Sequence, residues 1–230
     1  MNLKRLLIKW YFRYLSVLAK SYFSVSCRDV YLGRHVQIIG IKNVEIGKGS
    51  TLGDFFWLNV NHRDQRKRVR IGNYSNIGRN NFFTVGEELI IGDYFLSSCY
   101  CSIIGASHKN DDPFTPYVIS GVTSGSSIKI GCNVFMGAHS MVIGGVNIGF
   151  GSIIGAGALV NKDIPPLSIV VGNPAKIIKR YSFRQKKWVD VDNLDEEDIL
   201  DENEYLKLIK TKYQRIGPAL HAASERIGWL

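Results

Sequence analysis

The chain has 230 residues, 45% hydrophobic and 21% charged, which excludes disorder, collagen and a disulfide-stapled miniprotein. No run of about 18 uncharged apolar residues occurs, so no transmembrane helix is expected. The formal net charge of +9 is carried in blocks, and one residue in ten is glycine.

Taken in chain order, Leu3, Leu6, Leu7, Trp10, Tyr11, Tyr14, Leu15 and Leu18 recur at three and four, the spacing of an amphipathic helix within residues 1–28. Lys4, Arg5, Lys9, Arg13 and Lys20 surround that stripe with no acid among them. Lys9 and Arg13 also interrupt the apolar core a secretory leader would need. Two roles fit the helix: covering the open first coil of the next domain, or lying on an anionic membrane surface. Four cysteines (Cys27, Cys99, Cys101, Cys132) lack CxxC spacing, which suits a reducing cytosol.

From about residue 29 a six-residue period takes over. Ile130, Met136, Val142, Ile148, Ile154 and Val160 follow one another at intervals of six, usually with glycine next: Gly131, Gly137, Gly149, Gly155. A small or β-branched residue sits four positions after each: Val134, Ser140, Val146, Ser152, Ala158. The register appears earlier at Ile46, Leu52 and Leu58, at Ile71, Ile77 and Phe83, and at Ile91 and Ile103 with Ser97 between. Each unit reads as a short strand plus a turn, its glycine allowing a tight turn. Three units make one triangular coil, and stacked coils share a continuous core. The fold class predicted is all-β, a parallel β-helix, with helical extensions at both ends.

Breaks in the period predict loops. About seven residues, 62–68, are extruded between Leu58 and Ile71, and about 21, Lys109–Lys129, between Ile103 and Ile130. Cys101 falls on an inward small-residue position and reads as core. The repeat stops near Arg180, setting a domain at 29–180 and a charged extension at 181–230. Two further basic clusters stand out, Arg63, Arg66, Lys67, Arg68 and Arg70, then Lys176, Lys179, Arg180, Arg184, Lys186 and Lys187. Such blocks suit anionic partners or a solvated surface. Nine acids lie between Asp190 and Glu204, and Asn203–Ile216 reads as a helix.

The run VFMGAHSMVIGGVNIGFGSIIGAGALVNKDIPPLSIVVGNPAKII, residues 134–178, resembles the hexapeptide-repeat acyltransferases. It is most similar to the galactoside, maltose and xenobiotic acetyltransferases and the sugar O-acetyltransferases of capsule and O-antigen assembly. The resemblance implies a left-handed β-helix, a homotrimer, and grooves between subunits that take acetyl-CoA as acyl donor, with no metal expected. It implies that Ala138 and Ala156, one coil apart, line the pantetheine arm. Asn161 and Lys162 match coenzyme-contacting positions, and Lys176 and Lys179 match basic positions near its phosphates. His108 stands where the family places its general base, followed here by Lys109 rather than the frequent proline. Histidine suits that role because its ordinary pKa lies near working pH. The Ala138 N–H matches the oxyanion donor, and His139 reads as lining.

The resulting reading is an acetyl-CoA-dependent O-acetyltransferase of polysaccharide biosynthesis. Its acceptor is a sugar, nucleotide sugar or lipid-linked glycan, contacted by Asn80, Asn81 and the long loop, with Tyr100 and Tyr117 as stacking candidates. It is expected in the cytoplasm, with peripheral contact at the inner membrane face. Two other readings stay open. One is a carbonic-anhydrase-like zinc enzyme built on His62, His108 and His139, although zinc sites of that kind need about three converging histidines. The other is a non-catalytic assembly module. Nucleic acid is not an expected partner, because no recognised binding motif accompanies the basic clusters.

Overall fold

The computed structural model describes residues 30–123, 125–191 and 200–212; the helix predicted for 1–28 lies outside them. The chain divides after Ile178 into two compact units.

The first unit is a left-handed β-helix of short parallel strands stacked on three faces. The first face runs through Tyr31–Leu32, Thr51–Leu52, Asn76–Ile77, Leu96–Ser97, Phe135–Met136, Ile153–Ile154 and Ser168–Val171. The second runs through Gln37–Ile39, Trp57–Val60, Phe82–Val85, Ser102–Ile104, Met141–Ile143 and Leu159–Val160. The third holds Val44–Ile46, Val69–Ile71, Glu88–Ile91, Ser127–Ile130 and Asn147–Ile148. An uninterrupted coil takes 18 residues, as in Phe135↔Ile153. Thr51↔Asn76 spans 25 and Leu96↔Phe135 spans 39, so both predicted loops appear as excess length in the ladder.

The six-residue column is the core. Ile130, Met136, Val142, Ile148, Ile154 and Val160 are all buried, as are Val134, Ser140, Val146, Ser152, Ala158 and Cys101. A buried aliphatic side chain of this size contributes about 1.5–3 kcal/mol, and the period repeats that gain in every coil. Polar residues occupy inward slots where they serve the backbone. Ser97 Oγ accepts from the Gly78 N–H at 3.2 Å. Ser50 Oγ donates to Gly72 O and accepts from the Ser75 N–H, tying successive coils together.

The glycines after each aliphatic residue have a different cause from the one the sequence suggested. None of Gly131, Gly137, Gly149 and Gly155 has a positive φ. A Cβ on Gly137 would lie 2.7 Å from Ala156 N, and one on Gly149 would collide with the Pro166 nitrogen. The coils approach too closely there for a side chain. The left-handed corner position is filled mostly by other residues, among them Tyr94, Asn133 and His139.

Two loop assignments also shift. Ile128 and Lys129 are in a strand paired with Leu89 and Ile90, because Ile128 is an inward core residue. The long loop therefore ends earlier than Lys129. The chain leaves the coil after Gly105, whose N–H donates to Thr84 O, and returns at Ser126, whose N–H donates to Gly105 O. In the shorter loop Arg68 is buried and pairs with Asp64 at 2.7 Å and Glu87 at 2.9 Å, while Arg70 pairs with Glu88 at 2.8 Å. Much of this basic cluster is neutralised within the fold.

In the second unit, Lys179–Ser182, the end of a strand beginning at Lys176, pairs antiparallel with Lys187–Asp190. The helix is Glu202–Lys212, starting one residue before the predicted Asn203. Asp201 precedes it and accepts from the Asn203 N–H. Glu202 and Glu204 in its first turn and Lys210 and Lys212 in its last suit the helix dipole.

Candidate functional site

The corner between the first and second faces repeats four residues per coil, and its columns decide what the edge can hold. The second position carries Arg34, Asp54, Arg79 and Cys99, then Ala138 and Ala156. Arg34 and Asp54 fill the lower end with an ion pair of 2.9 Å. Hydrogen bonds from the Arg34 backbone and side chain hold the Asp54 carboxyl below its ordinary range. Towards the upper end the side chains shrink, and the backbone itself becomes the surface. The Gly157 N–H donates to Ala138 O at 2.9 Å, which aligns the two alanines one coil apart as the sequence implied. Among the described residues neither the Ala138 nor the Ala156 N–H donates to a backbone carbonyl. The third position carries His35, Phe55, Asn80, Tyr100 and His139, all with positive φ. His139 stacks on Tyr100 with centroids 4.9 Å apart and planes 4° from parallel. This places His139 as a wall beside Ala138.

His108 lies elsewhere. Both loops leave at the corner between the second and third faces, the opposite edge of the second face. His108 is not the last residue of a coil, as expected, but part of the stem of the long loop, in an antiparallel bridge to Val122. Flanking bonds hold that stem. The Lys109 N–H donates to Gly121 O at 3.0 Å, the Thr123 N–H to Ser107 O at 2.8 Å, and the Ser120 hydroxyl to Lys109 O at 2.8 Å. Asp112 organises the tip by accepting from the Phe114 N–H and the Thr115 hydroxyl, which lower its pKa. The imidazole is therefore exposed on a fixed backbone.

Within one chain the Ala138–Ala156 edge and His108 are not brought together. The strands Ser102–Ile104 and Met141–Ile143 separate them, about 10 Å at the rise of a three-residue strand. The same separation keeps His139 apart from His62 and His108, so the three histidines do not converge in one chain.

The remaining expectations divide. Asn161, Lys162 and Lys176 are exposed. Lys179 belongs to the second unit, where it stands 4.0 Å from Asp190. Asn80 is half-buried on the corner that carries Ala138. Asn81 is a correction. It is buried in an inward slot, and its Nδ2 donates to Ser98 O at 2.7 Å and Arg79 O at 3.2 Å, so it supports the corner rather than facing an acceptor. The sequence held a signal for this, since Asn81 falls four after Ile77, where inward small residues recur. Cys101 is core as expected, and burial pushes its thiol pKa up. The Tyr100–His139 stack was not foreseen, because only the coil register places residues 39 apart in one column.

No family model matches the chain. A probable acetyltransferase of Mycobacterium tuberculosis is 32% identical over 162 residues, covering 69% of this chain and 51% of that protein. A putative acetyltransferase of Staphylococcus aureus is 38% identical over 113 residues, covering 49% and 55%. The chain thus spans about half the length of the curated relatives it matches. Among solved structures, a variant of an N-acyltransferase from Bacillus cereus, in complex with dTDP and coenzyme A, aligns with a TM-score of 0.54. That alignment is 23% identical and covers 77% of this chain and 90% of that one. With its six-residue period realised as stacked coils, the chain is similar, over about half of their length, to proteins named as acetyltransferases.

Proposed function

We propose that the protein is an acetyl-CoA-dependent O-acetyltransferase acting on a sugar or glycan precursor, assembled so that two copies complete each site. The carrying observation is the pair of edges of the second face, a column of small residues at Ala138 and Ala156 and an exposed His108 on a hydrogen-bonded stem opposite. Each copy supplies one half to a neighbour, which a closed ring of three satisfies. The long loop supports this assembly, since Phe114, Val118 and Ile119 are 92%, 85% and 72% exposed in the isolated chain. Apolar surface of that extent is usually covered by a partner.

In this reading acetyl-CoA lies along the alanine column, with Asn161 and Lys162 alongside and Lys176 and Lys179 near its phosphates. His108 takes the proton of the acceptor hydroxyl as its oxygen attacks the thioester carbonyl carbon. The Ala138 N–H receives the oxyanion, a contribution of about 2.7–4 kcal/mol where such donors have been removed. Collapse breaks the C–S bond, and the imidazolium returns its proton to the leaving thiolate. Asn80 and Tyr100, on the donor edge, face the acceptor. The named acetyltransferase relatives support the transfer, and the fold neighbour's bound coenzyme A and dTDP are consistent with a coenzyme donor and a nucleotide-linked sugar. The test is thiol release from acetyl-CoA across free, nucleotide-linked and lipid-linked sugars, with mass spectrometry for one added acetyl group. No release with any acceptor refutes the reading.

The basic segment 1–20 would hold this enzyme near a lipid-linked acceptor, at about 1 kcal/mol per basic residue beside an anionic surface. Flotation with anionic vesicles should recover the full chain and not one lacking those residues.

A further inference from the structure

The corner that carries Ala138 and Ala156 continues below them, and its lower half has a different chemistry. One backbone bond per coil fixes the alignment. The Gly157 N–H donates to Ala138 O at 2.9 Å and the His139 N–H to Cys99 O at 3.1 Å. The Tyr100 N–H then donates to Arg79 O at 3.1 Å and the Asn80 N–H to Asp54 O at 2.9 Å. Arg79 therefore stands two coils from Ala138, about 10 Å at the spacing of neighbouring strands, on the side away from Ala156. Asn80 and the exposed Tyr100 adjoin it.

The Arg79 side chain is exposed and its charge is uncompensated. Other guanidinium groups of the fold are engaged: Arg66 and Arg68 with Asp64, Arg70 with Glu88, and Arg63 with Val60 O. Among the described residues no hydrogen bond or ion pair holds the guanidinium of Arg79. The acid one coil below it, Asp54, is already taken. It accepts from Arg34 N at 2.7 Å, Nη2 at 2.9 Å and Nε at 3.1 Å. Arg34 and Asp54 cancel, and Arg79 leaves the column positive just beyond the position assigned to the thioester. Its planar fork matches a carboxylate or a phosphate through two parallel hydrogen bonds, and it stays charged at any working pH. The coenzyme's own phosphates are assigned to the opposite end of the column, past Ala156.

We propose that Arg79 selects an anionic acceptor, its guanidinium holding a carboxylate or phosphate of the sugar while a hydroxyl is acetylated beside Ala138. The inference rests on the acetyl-transfer reading above and narrows its acceptor to a sugar acid or a phosphate-linked sugar. Arg79 binds and orients; His108 remains the base.

Cys99 lies between Arg79 and Ala138 in the same column and is half-buried, whereas Cys101 and Cys132 are buried. Its alkylation therefore reports on the site without turnover. Iodoacetate carries a carboxylate, and iodoacetamide is its neutral counterpart. Arg79→Gln in the full chain should lower the iodoacetate-to-iodoacetamide rate ratio at Cys99 about tenfold, read by peptide mass spectrometry. The ratio cancels any change in the thiol itself. Thiol release from acetyl-CoA is then compared across methyl glycosides, methyl uronosides, sugar 1-phosphates and UDP-linked sugars of glucose and galactose. The uronosides report a carboxylate, and the last two groups a phosphate. For the best anionic sugar kcat/KM should exceed that of its neutral glycoside by about 10–100-fold, and Arg79→Gln should abolish the advantage. The acetyl-CoA KM and the melting temperature should stay at wild-type values.

A labelling ratio unchanged by Arg79→Gln overturns the proposal, as does an anionic advantage that survives the substitution. A raised acetyl-CoA KM with the acceptor preference intact would give Arg79 to the coenzyme, and also overturns it. Arg79-dependent labelling that an anionic sugar protects, with no acetyl transfer to any sugar, would keep the anion site and sink the transferase reading. Efficient transfer to neutral glycosides, indifferent to Arg79→Gln, would do the reverse.

Discussion

Replacing His108 by alanine tests the chemistry and the assembly together. The side chain is exposed and its backbone is held by bonds from Ser107, Lys109 and Ser120 that need no imidazole. Stability should therefore change by less than about 0.5 kcal/mol, as for surface substitutions generally. Turnover should fall by about 10²–10⁴, the contribution of a positioned acid–base group. Acetyl-CoA affinity should hold, because the alanine column lies on the opposite edge of the second face. His139→Asn is the control. Asparagine tolerates the left-handed φ of 59° found there, so the corner should keep its path and lose only the ring stack on Tyr100, about 0.5–1.5 kcal/mol. Most of the turnover should survive. Assembly enters through complementation. Ala156→Trp blocks the donor groove but leaves His108, so neither it nor His108→Ala is active alone. Refolded together in equal amounts, they should recover about a quarter of wild-type activity, since one copy in two supplies each intact half-site. The assay is thiol release, with a thermal melt on each variant. Folded His108→Ala retaining more than about a tenth of wild-type turnover would remove the base assignment. A dead mixture of two folded variants would show that each site lies within one chain.

Three further outcomes are expected. Gly149→Ala should cost about 1–3 kcal/mol, read as a lower melting temperature, because its Cβ meets the Pro166 backbone nitrogen, which cannot yield as a flexible side chain would. Reversing charge at Lys176 and Lys179 should raise the acetyl-CoA KM and leave the acceptor KM, with added salt weakening donor binding less in the variant than in the wild type; an unchanged donor KM would oppose the phosphate role. Asp64 has its pKa pulled well below the carboxylate range, chiefly by its hydrogen bond to Arg68 and then those to Arg66. Its contribution is complete above the unfolded value, about 3.9, and is lost as pH falls from there towards the depressed folded value. Amide protection of residues 61–68 should weaken on acidification, and Asp64→Asn should lack that dependence while being less protected at neutral pH.

The period of six, the inward columns, the extruded lengths and the core position of Cys101 were legible in the chain alone. They follow from local spacing, since every coil repeats the same inward demand and any break appears as extra residues. The alignment of Ala138 and Ala156 was legible for the same reason, as they are one coil apart whatever the rest of the chain does. What the period does not encode is which corner a break falls on. That depends on summing every insertion upstream, and it sets His108 on one edge of the second face and Ala138 on the other. Only the folded stack shows the two on opposite edges of that face within one chain. It also exchanged the reason for the turn glycines, because contact between successive coils is invisible within one turn. Asn81 moved into the interior, where its amide satisfies corner carbonyls that no apolar side chain could reach. The partners of Arg68 belong to the same class. They arise where loops from different coils meet, and spacing along the chain carries no record of that meeting.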